Sequence, residues 1–506
     1  MSQKIIIIGA GIAGLSAGCY GQMNGYKTTI YEVGEQPGGL CAAWKRKGYT
    51  FDGCIHWLMG TSPRSPYYKM WQELGVTVNR RMISHDEFVR ISDESGRTFV
   101  VYTNTDKLEQ HLLELSPADA PLIRDFANLL RRWSKIDLAS DKPAELMNAA
   151  DKVRNGLKMA PHMPAIMKWM KTPVSEYAAR FSDPFLRRAL PMIFGGDIPM
   201  MIFLMFLAPM DHGDCGTVEG GSWGFSHAIE KRYTELGGEV HYKSRVDEIL
   251  VEPCQVSGKR RHQAVGVRLA DGTVAHADYV ISAADGRTTV FKLLGGNFVD
   301  EDIQHAYDRW PTFTAITQVS IGVNWDLSDT PHNQTQMLSR PVELNGVSTD
   351  AITLKHYCYD RSLAPLGKSV VESFLQADYD YWKKMAEVDR ERYEAEKQIV
   401  ATRVIEQMEA RYPGITGAIE TVDVATPLTT ERYTGNYKGS IQGWGINQET
   451  TTKGMKRTLP GLEDFYMAGQ WVTVGGGLPG VAPSGREVIQ IICHRDGKKF
   501  TTSVPG

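Results

Sequence analysis

Residues 5–18 read IIIIGAGIAGLSAG, from Ile5 to Gly18, and this stretch decides the fold. Four β-branched residues without alternation suit a short strand buried on both faces, as in a parallel sheet. Gly9, Gly11 and Gly14 follow in a G-x-G-x-x-G pattern, and Ser16, Ala17 and Gly18 keep the next helix slim. In such a strand–turn–helix unit the first glycine permits the tight turn. The second lets a pyrophosphate reach the backbone, and the third lets helix and strand pack closely. The helix start adds free N–H groups and partial positive charge. A second predicted strand, YKTTIYEV, delivers Glu32 18 residues after Gly14. An acid there accepts ribose hydroxyls and repels a 2′-phosphate. The stretch therefore predicts an α/β dinucleotide-binding domain at the start of the chain.

The chain has 506 residues, which predicts two or three domains. A net charge of −3 gives no electrostatic reason to expect nucleic acid as a partner. Seven cysteines (19, 41, 54, 215, 254, 358 and 493) form no C-x-x-C, so no zinc or iron–sulfur spacing is present, and free thiols in a reducing cytoplasm are expected. No signal peptide is expected before so early a strand. Leu190–Met210 has the length of a membrane span, but Asp197, paired glycines and three prolines interrupt it. Lys152–Lys171 mixes basic residues with Met, Ile and Trp. It reads either as a Met-rich core helix or as a basic surface resting on anionic lipid. The expected location is cytoplasmic, with peripheral membrane contact in the second case.

Five segments follow from the changes in pattern. Residues 1–75 and 216–308 read as parts of the nucleotide domain, and 460–506 as its last part. Residues 76–215 read as an inserted substrate- or membrane-facing region, with a strand pair (EFVRISDESGRTFVVYT) and long helices. Residues 309–459 read as a substrate domain with strands in TFTAITQVSIGV and SVVESFLQADY. A helix is expected from Phe225 to Leu236, a strand near Val240–Val251, and a hairpin turning at Asp271-Gly272. In the last segment FYMAG (Phe465 to Gly469) reads as a buried strand. A loop with Gly475, Gly476, Gly477 and Gly480 follows, then a helix from Val481. This is a second place where backbone must approach a flat ligand. A flavin ring fits it, because a helix N-terminus stabilises the negative charge of reduced flavin.

The runs IIIIGAGIAGLSAG, YEVGEQPGG, GYTFDGCIHW, VISAADGRTTVFKLLG, TPLTTERYTGNYKGSIQGW and FYMAGQWVTVGGGLPGVAPSGR, spread along essentially the whole chain, resemble the phytoene desaturase group of flavoproteins. That group includes carotenoid desaturases, carotenoid isomerases and retinol saturases. The resemblance implies an amine-oxidase-like architecture, with a Rossmann-type FAD-binding domain of discontinuous segments and an interleaved α+β substrate domain. It implies FAD as cofactor, held by Gly9, Gly11, Ala13, Gly14, Glu32, Gly38, Gly39, Leu40, Lys45, His56, Val246, Gly469, Gln470, Gly480 and Val481. Lys45, Arg46 and Lys47 offer cations toward a phosphate. His56 and Trp471 are candidates to touch the ring or the substrate, or else to serve as core. Asp52 is expected to fix the turn at Gly53. Gln470-Trp471-Val472 departs from the threonine or histidine run of several relatives, so the particular substrate does not carry over.

The implied activity is FAD-dependent chemistry on carbon–carbon bonds of an apolar isoprenoid or other lipid-like substrate, by desaturation, saturation or flavin-assisted isomerisation. Amine oxidation, and a non-enzymatic prenyl-lipid carrier of GDP-dissociation-inhibitor type, stand as alternatives. Met159, Met163, Met167, Trp169, Met170, Met200, Met201, Phe203, Met205 and Phe206 are expected to line an apolar pocket. The electron donor or acceptor stays open, and no metal site is expected.

Overall fold

The computed structural model describes residues 2–136 and 142–505. Lys4–Ile8 forms the central strand of a five-stranded parallel sheet, in the order Phe465–Met467, Tyr279–Ser282, Lys4–Ile8, Lys27–Tyr31, Glu239–His241. All four isoleucines are buried. Ile5 and Ile7 enter one apolar core and Ile6 and Ile8 another, on opposite faces of the sheet. This is a Rossmann-like FAD-binding fold assembled from distant parts of the chain.

Glycines close the core around it. At Gly14 a Cβ would run into the Gly9 carbonyl oxygen, so helix Ile12–Met23 lies directly on the turn. At Gly485 in the last helix, Leu478–Arg495, a Cβ would run into the Ala13 carbonyl oxygen. The two helices that begin at the two glycine-rich loops thus pack against each other.

The helix expected from Phe225 begins earlier, at Gly221, and ends at Glu235. The strand expected over Val240–Val251 is two strands. Glu239–His241 completes the parallel sheet, and Val246–Val256 departs into a separate antiparallel sheet with Lys259–Leu269 and Val274–His276. The break has a physical cause: Lys243 adopts a positive φ of 54°, and the Lys243 and Ser244 N–H groups donate to the Gly34 and Glu32 carbonyls. The hairpin through Asp271-Gly272 forms as expected. The last helix starts three residues before Val481, at Leu478.

The interleaved domain is built on a seven-stranded sheet. Its order is Ile419–Ala425, Ala315–Val323, Ser369–Ala377, Val347–His356, Asn333–Leu344, Glu87–Ser92, Thr98–Tyr102. One face, with Val319, Ile321, Val371 and Leu375, packs on helix Arg390–Arg411. The opposite face carries Gln318, Lys355, Glu372 and Phe374 and meets the loop after Tyr49–Asp52.

Leu190–Met210 is neither a span nor a surface. It folds into helices Pro184–Met192 and Met200–Leu207, with Met200, Phe203, Leu204 and Leu207 buried in a helical core. Among the described residues no helix is long and apolar enough to cross a membrane.

Candidate functional site

A cleft runs from the Gly9–Gly14 turn to the Gly469–Val481 loop. It is lined by residues from five parts of the chain, including Gly9, Gly11, Ala13, Glu32, Gly38, Gly39, Leu40, Val246, Gly469, Gln470, Trp471 and Val481. Of the residues expected at the cofactor, four lie outside this lining. Gly14 lies beneath the turn as a packing residue. Gly480 sits within the first turn of the last helix, its N–H donating to the Gly477 carbonyl.

Lys45 lies outside the lining. Hairpin Ala43–Arg46/Tyr49–Asp52 carries the whole basic run away from the glycines. The Lys45 amino group stands 5.3 Å from the Trp223 ring, Arg46 pairs with Asp423 at 2.9 Å, and Lys47 donates to the Glu420 carbonyl. The cations that do line the cleft are Arg245, Lys292 and Arg432. They stand far apart in sequence, so no local spacing marks them.

His56 also lies outside the lining. Asp52 Oδ1 accepts from the N–H groups of Cys54 and Ile55, both at 2.9 Å, as its expected turn role requires. This turn presents Cys54 to the cleft and directs His56 to the seven-stranded sheet. There its ring stands edge-on to Phe374 at 3.9 Å. Burial, and then the charge of Lys355, push the imidazole down to about 3. Trp471 is both lining and core. It is 2% exposed, packs at a right angle to Trp444 at 5.0 Å, and donates through Nε1 to Asn436 Oδ1. Gln470 Nε2 donates to the same oxygen at 2.7 Å. Asn436, also in the lining, lies in a run already noted for its resemblance, TPLTTERYTGNYKGSIQGW.

The geometry fits a dinucleotide. Gly11 has an ordinary φ of −66°, and a Cβ there would meet nothing of the protein nearer than the Gly38 carbonyl oxygen at 4.0 Å. The chain itself does not demand glycine at this position, and glycine leaves the backbone there open to the cleft. Helix Ile12–Met23 starts at Gly11 and helix Leu478–Arg495 at Gly477, and neither start has a side-chain cap. Two uncapped helix N-termini thus face one cleft; in the second, Pro479 has no N–H and the Gly480 and Val481 N–H groups already donate to the Gly477 carbonyl. Glu32 takes the Ala10 N–H on Oε2 and the Gly34 N–H on Oε1, both at 2.6 Å, which holds its carboxylate at the cleft wall.

The ten residues expected to line one apolar pocket separate. Met163 and Met167 are exposed, while Met200, Met201 and Phe203 are buried core. Met205 packs against that core, and Phe206 meets Phe194 at 5.4 Å. Phe206 meets Trp57 at 4.9 Å, and Trp57 also contacts Phe194 and Phe88. Trp57 follows His56 directly, so an aromatic cluster adjoins the loop that forms part of the cleft wall.

A parallel sheet closed by glycine-contacting first and last helices, with an interleaved second sheet, defines a Rossmann-like FAD-binding fold. The chain belongs to the family of flavin containing amine oxidoreductases, whose profile matches residues 12–493. It is an FAD-dependent enzyme of that family. It is similar to a chloroplastic prolycopene isomerase of Daucus carota, 26% identical over 95% of this chain and 78% of that protein. It is also similar to a lycopene-forming phytoene desaturase of Pseudescherichia vulneris, 25% identical over 97% of this chain and 99% of that protein. Among solved structures, an oxidoreductase from Methanosarcina mazei superposes with a TM-score of 0.60 at 17% identity. It covers 96% of this chain and 100% of its own. A putrescine oxidase double mutant superposes at 0.57 and 12% identity, over 98% of this chain and 100% of its own. Both share the fold.

Proposed function

We propose that this FAD-dependent oxidoreductase acts on carbon–carbon bonds of an apolar isoprenoid or similar lipid. The observation that carries the reading is the aromatic cluster of Trp57, Phe88, Phe194 and Phe206, continuous with the loop beside the cofactor cleft. Rings of this kind suit a long apolar chain and exclude water from it. The relatives named for prolycopene and phytoene support the same chemistry.

Gly11, Gly38 and Gly39 would admit the diphosphate, and the first-turn N–H groups of the helix at Ile12 would hold it. Glu32 would take ribose hydroxyls, with Leu40 and Val246 beside the adenosine. Gly469, Gln470 and the helix start before Val481 would cradle the ring. When bound, FAD supplies two-electron hydride chemistry at its N5. The chain's part is to orient the substrate and keep the site dry.

The same reading gives the Lys152–Lys171 stretch a role in reaching a membrane-dissolved substrate. Helices Ala149–Met159 and Met163–Lys171 expose Val153, Leu157, Met163 and Met167 among Lys152, Lys168 and Lys171. Such a surface suits reversible contact with anionic lipid.

The test is anaerobic incubation of oxidised and dithionite-reduced protein with a polyene lipid extract, followed by mass spectrometry. A product differing by two hydrogens supports redox chemistry, and an isomer of unchanged mass supports flavin-assisted isomerisation. Turnover of amines with no change in any polyene overturns the reading.

A further inference from the structure

Behind the loop that carries His56 lies a buried cation that the cofactor cleft does not use. Lys355, on strand Val347–His356, is 4% exposed. Its amino group donates to the His56 carbonyl oxygen and stands 5.4 Å from the Tyr357 ring. An ammonium has three hydrogens to place, and burying one is costly unless acceptors meet it.

The neighbouring carboxylates are already engaged. Asp52 accepts from the N–H groups of Cys54, Ile55 and Ser222 and from the Ser222 hydroxyl. Glu372 accepts from the Asp52 N–H, Gln318, Ser320 and Tyr357. Burial raises both carboxyls, Glu372 to about 8, and their lone pairs serve other donors.

Near Lys355 stand half-buried imidazoles, reached through Tyr357 and Tyr359, whose rings lie 6.1 Å apart. His85 stacks on His332 at 4.1 Å, and Tyr359 stands edge-on to both. Burial first, and the charge of Lys355 next, push His85 down to about 4. His332 is held well below its usual range, by burial and then by His85 and Lys355. At neutral pH each is uncharged; His85 Nε2 already shares a hydrogen bond with Thr217 Oγ1 at 3.1 Å, which leaves its Nδ1 to offer. His56 then leads from this polar cluster to Phe374 and, through Trp57, to the aromatic cluster.

We infer, resting on the apolar-substrate reading above, that the substrate is an apolar chain bearing an acceptor oxygen, a carbonyl or carboxylate, which Lys355, His85 and His332 receive. The apolar run lies along Trp57 and Phe374, and the oxygen anchors the chain and sets its register against the cleft.

The experiment titrates FAD-loaded protein with retinoic acid, the methyl ketone of the same polyene and the parent hydrocarbon, following the flavin absorbance. The expected result is at least roughly tenfold tighter binding of one or both oxygenated ligands than of the hydrocarbon. A gain for the acid alone assigns an anionic group, and a gain for both assigns a neutral acceptor; either supports the inference. Lys355→Met should remove the gain and leave hydrocarbon affinity unchanged, and Lys355→Arg should keep part of it. Should Lys355→Met fail to fold, His332→Phe and the wild-type ranking decide. Equal or tighter binding of the hydrocarbon, or equal weakening of all three by Lys355→Met, overturns the inference while the apolar-substrate reading stands. If none of the three perturbs the flavin, both fall.

Discussion

The Ser16 hydroxyl donates a 2.7 Å hydrogen bond to the carbonyl oxygen of Ala482, tying the first helix of the chain to the last. Ser16 is fully buried, and the same contact brings Gly485 against the Ala13 carbonyl. The cofactor cleft lies where these two helices begin, so its width depends on how closely they approach. Gly485→Val should force them apart, costing about 1–3 kcal/mol of stability. Urea unfolding followed by circular dichroism reads the loss, and flavin release should begin before the global transition.

Gly11→Val should behave differently. The space above Gly11 is free of protein atoms to 4.0 Å, so the variant should fold with near wild-type circular dichroism. It should nevertheless purify colourless, because the side chain fills the place of the diphosphate. A yellow Gly11→Val protein would put the diphosphate elsewhere.

Glu32→Ala removes acceptors for the Ala10 and Gly34 N–H groups as well as for a ribose. Each lost charge-assisted bond is worth about 1.5–3 kcal/mol, so FAD should be lost on extended dialysis. Glu32→Gln keeps one acceptor oxygen and should retain FAD better than Glu32→Ala. Equal occupancy in all three proteins removes Glu32 from the cofactor site.

Acid should destabilise the protein before ordinary carboxylates titrate. Burial holds His56 at about 3 and His85 and His356 at about 4, with His332 well below 6.5. Below 6.5 the unfolded chain binds protons that the native chain refuses, so stability present above 6.5 is lost as pH falls toward 3–4. Glu372, raised by burial to about 8, and Asp52, also raised, act in the opposite direction. Asp285, Asp464 and Glu487 are raised as well and His111 lowered, while His56, His85 and His356 should each take up about one proton on unfolding near pH ~5.5. His85→Gln should lower that uptake by about one proton, measured from the pH dependence of urea unfolding.

Co-sedimentation with anionic liposomes should fall as salt rises, since each basic residue near the surface contributes on the order of 1 kcal/mol. It should fall again in Leu157→Glu/Lys168→Glu, because Leu157 is 71% exposed and Lys168 is exposed on the next helix. That variant should keep its FAD. Wild-type protein remaining in the supernatant at low salt would end the membrane-contact proposal.

The sequence alone determined the α/β class, the parallel strand at Ile5–Ile8, the dinucleotide turn and the acid at Glu32. Each of these is written in a few adjacent residues, and strand, turn and helix start are set by local sterics and backbone hydrogen bonding. It also marked the loop from Gly469 to Val481, because so many glycines are costly unless backbone must come close to something. What only the tertiary structure decided is which side chains share one space. The run Lys45–Lys47 looked like phosphate ligands by proximity, yet a four-residue strand turned it away, and Arg245, Lys292 and Arg432 arrived from three other segments. His56 faced the sheet because Asp52 caps the turn before it. Lys355 and Glu372, 17 positions apart, became neighbours through antiparallel register between two strands. Such pairings depend on long-range strand order, which no local pattern records, and on burial, which turns ordinary Lys, His and Glu residues into groups with shifted protonation.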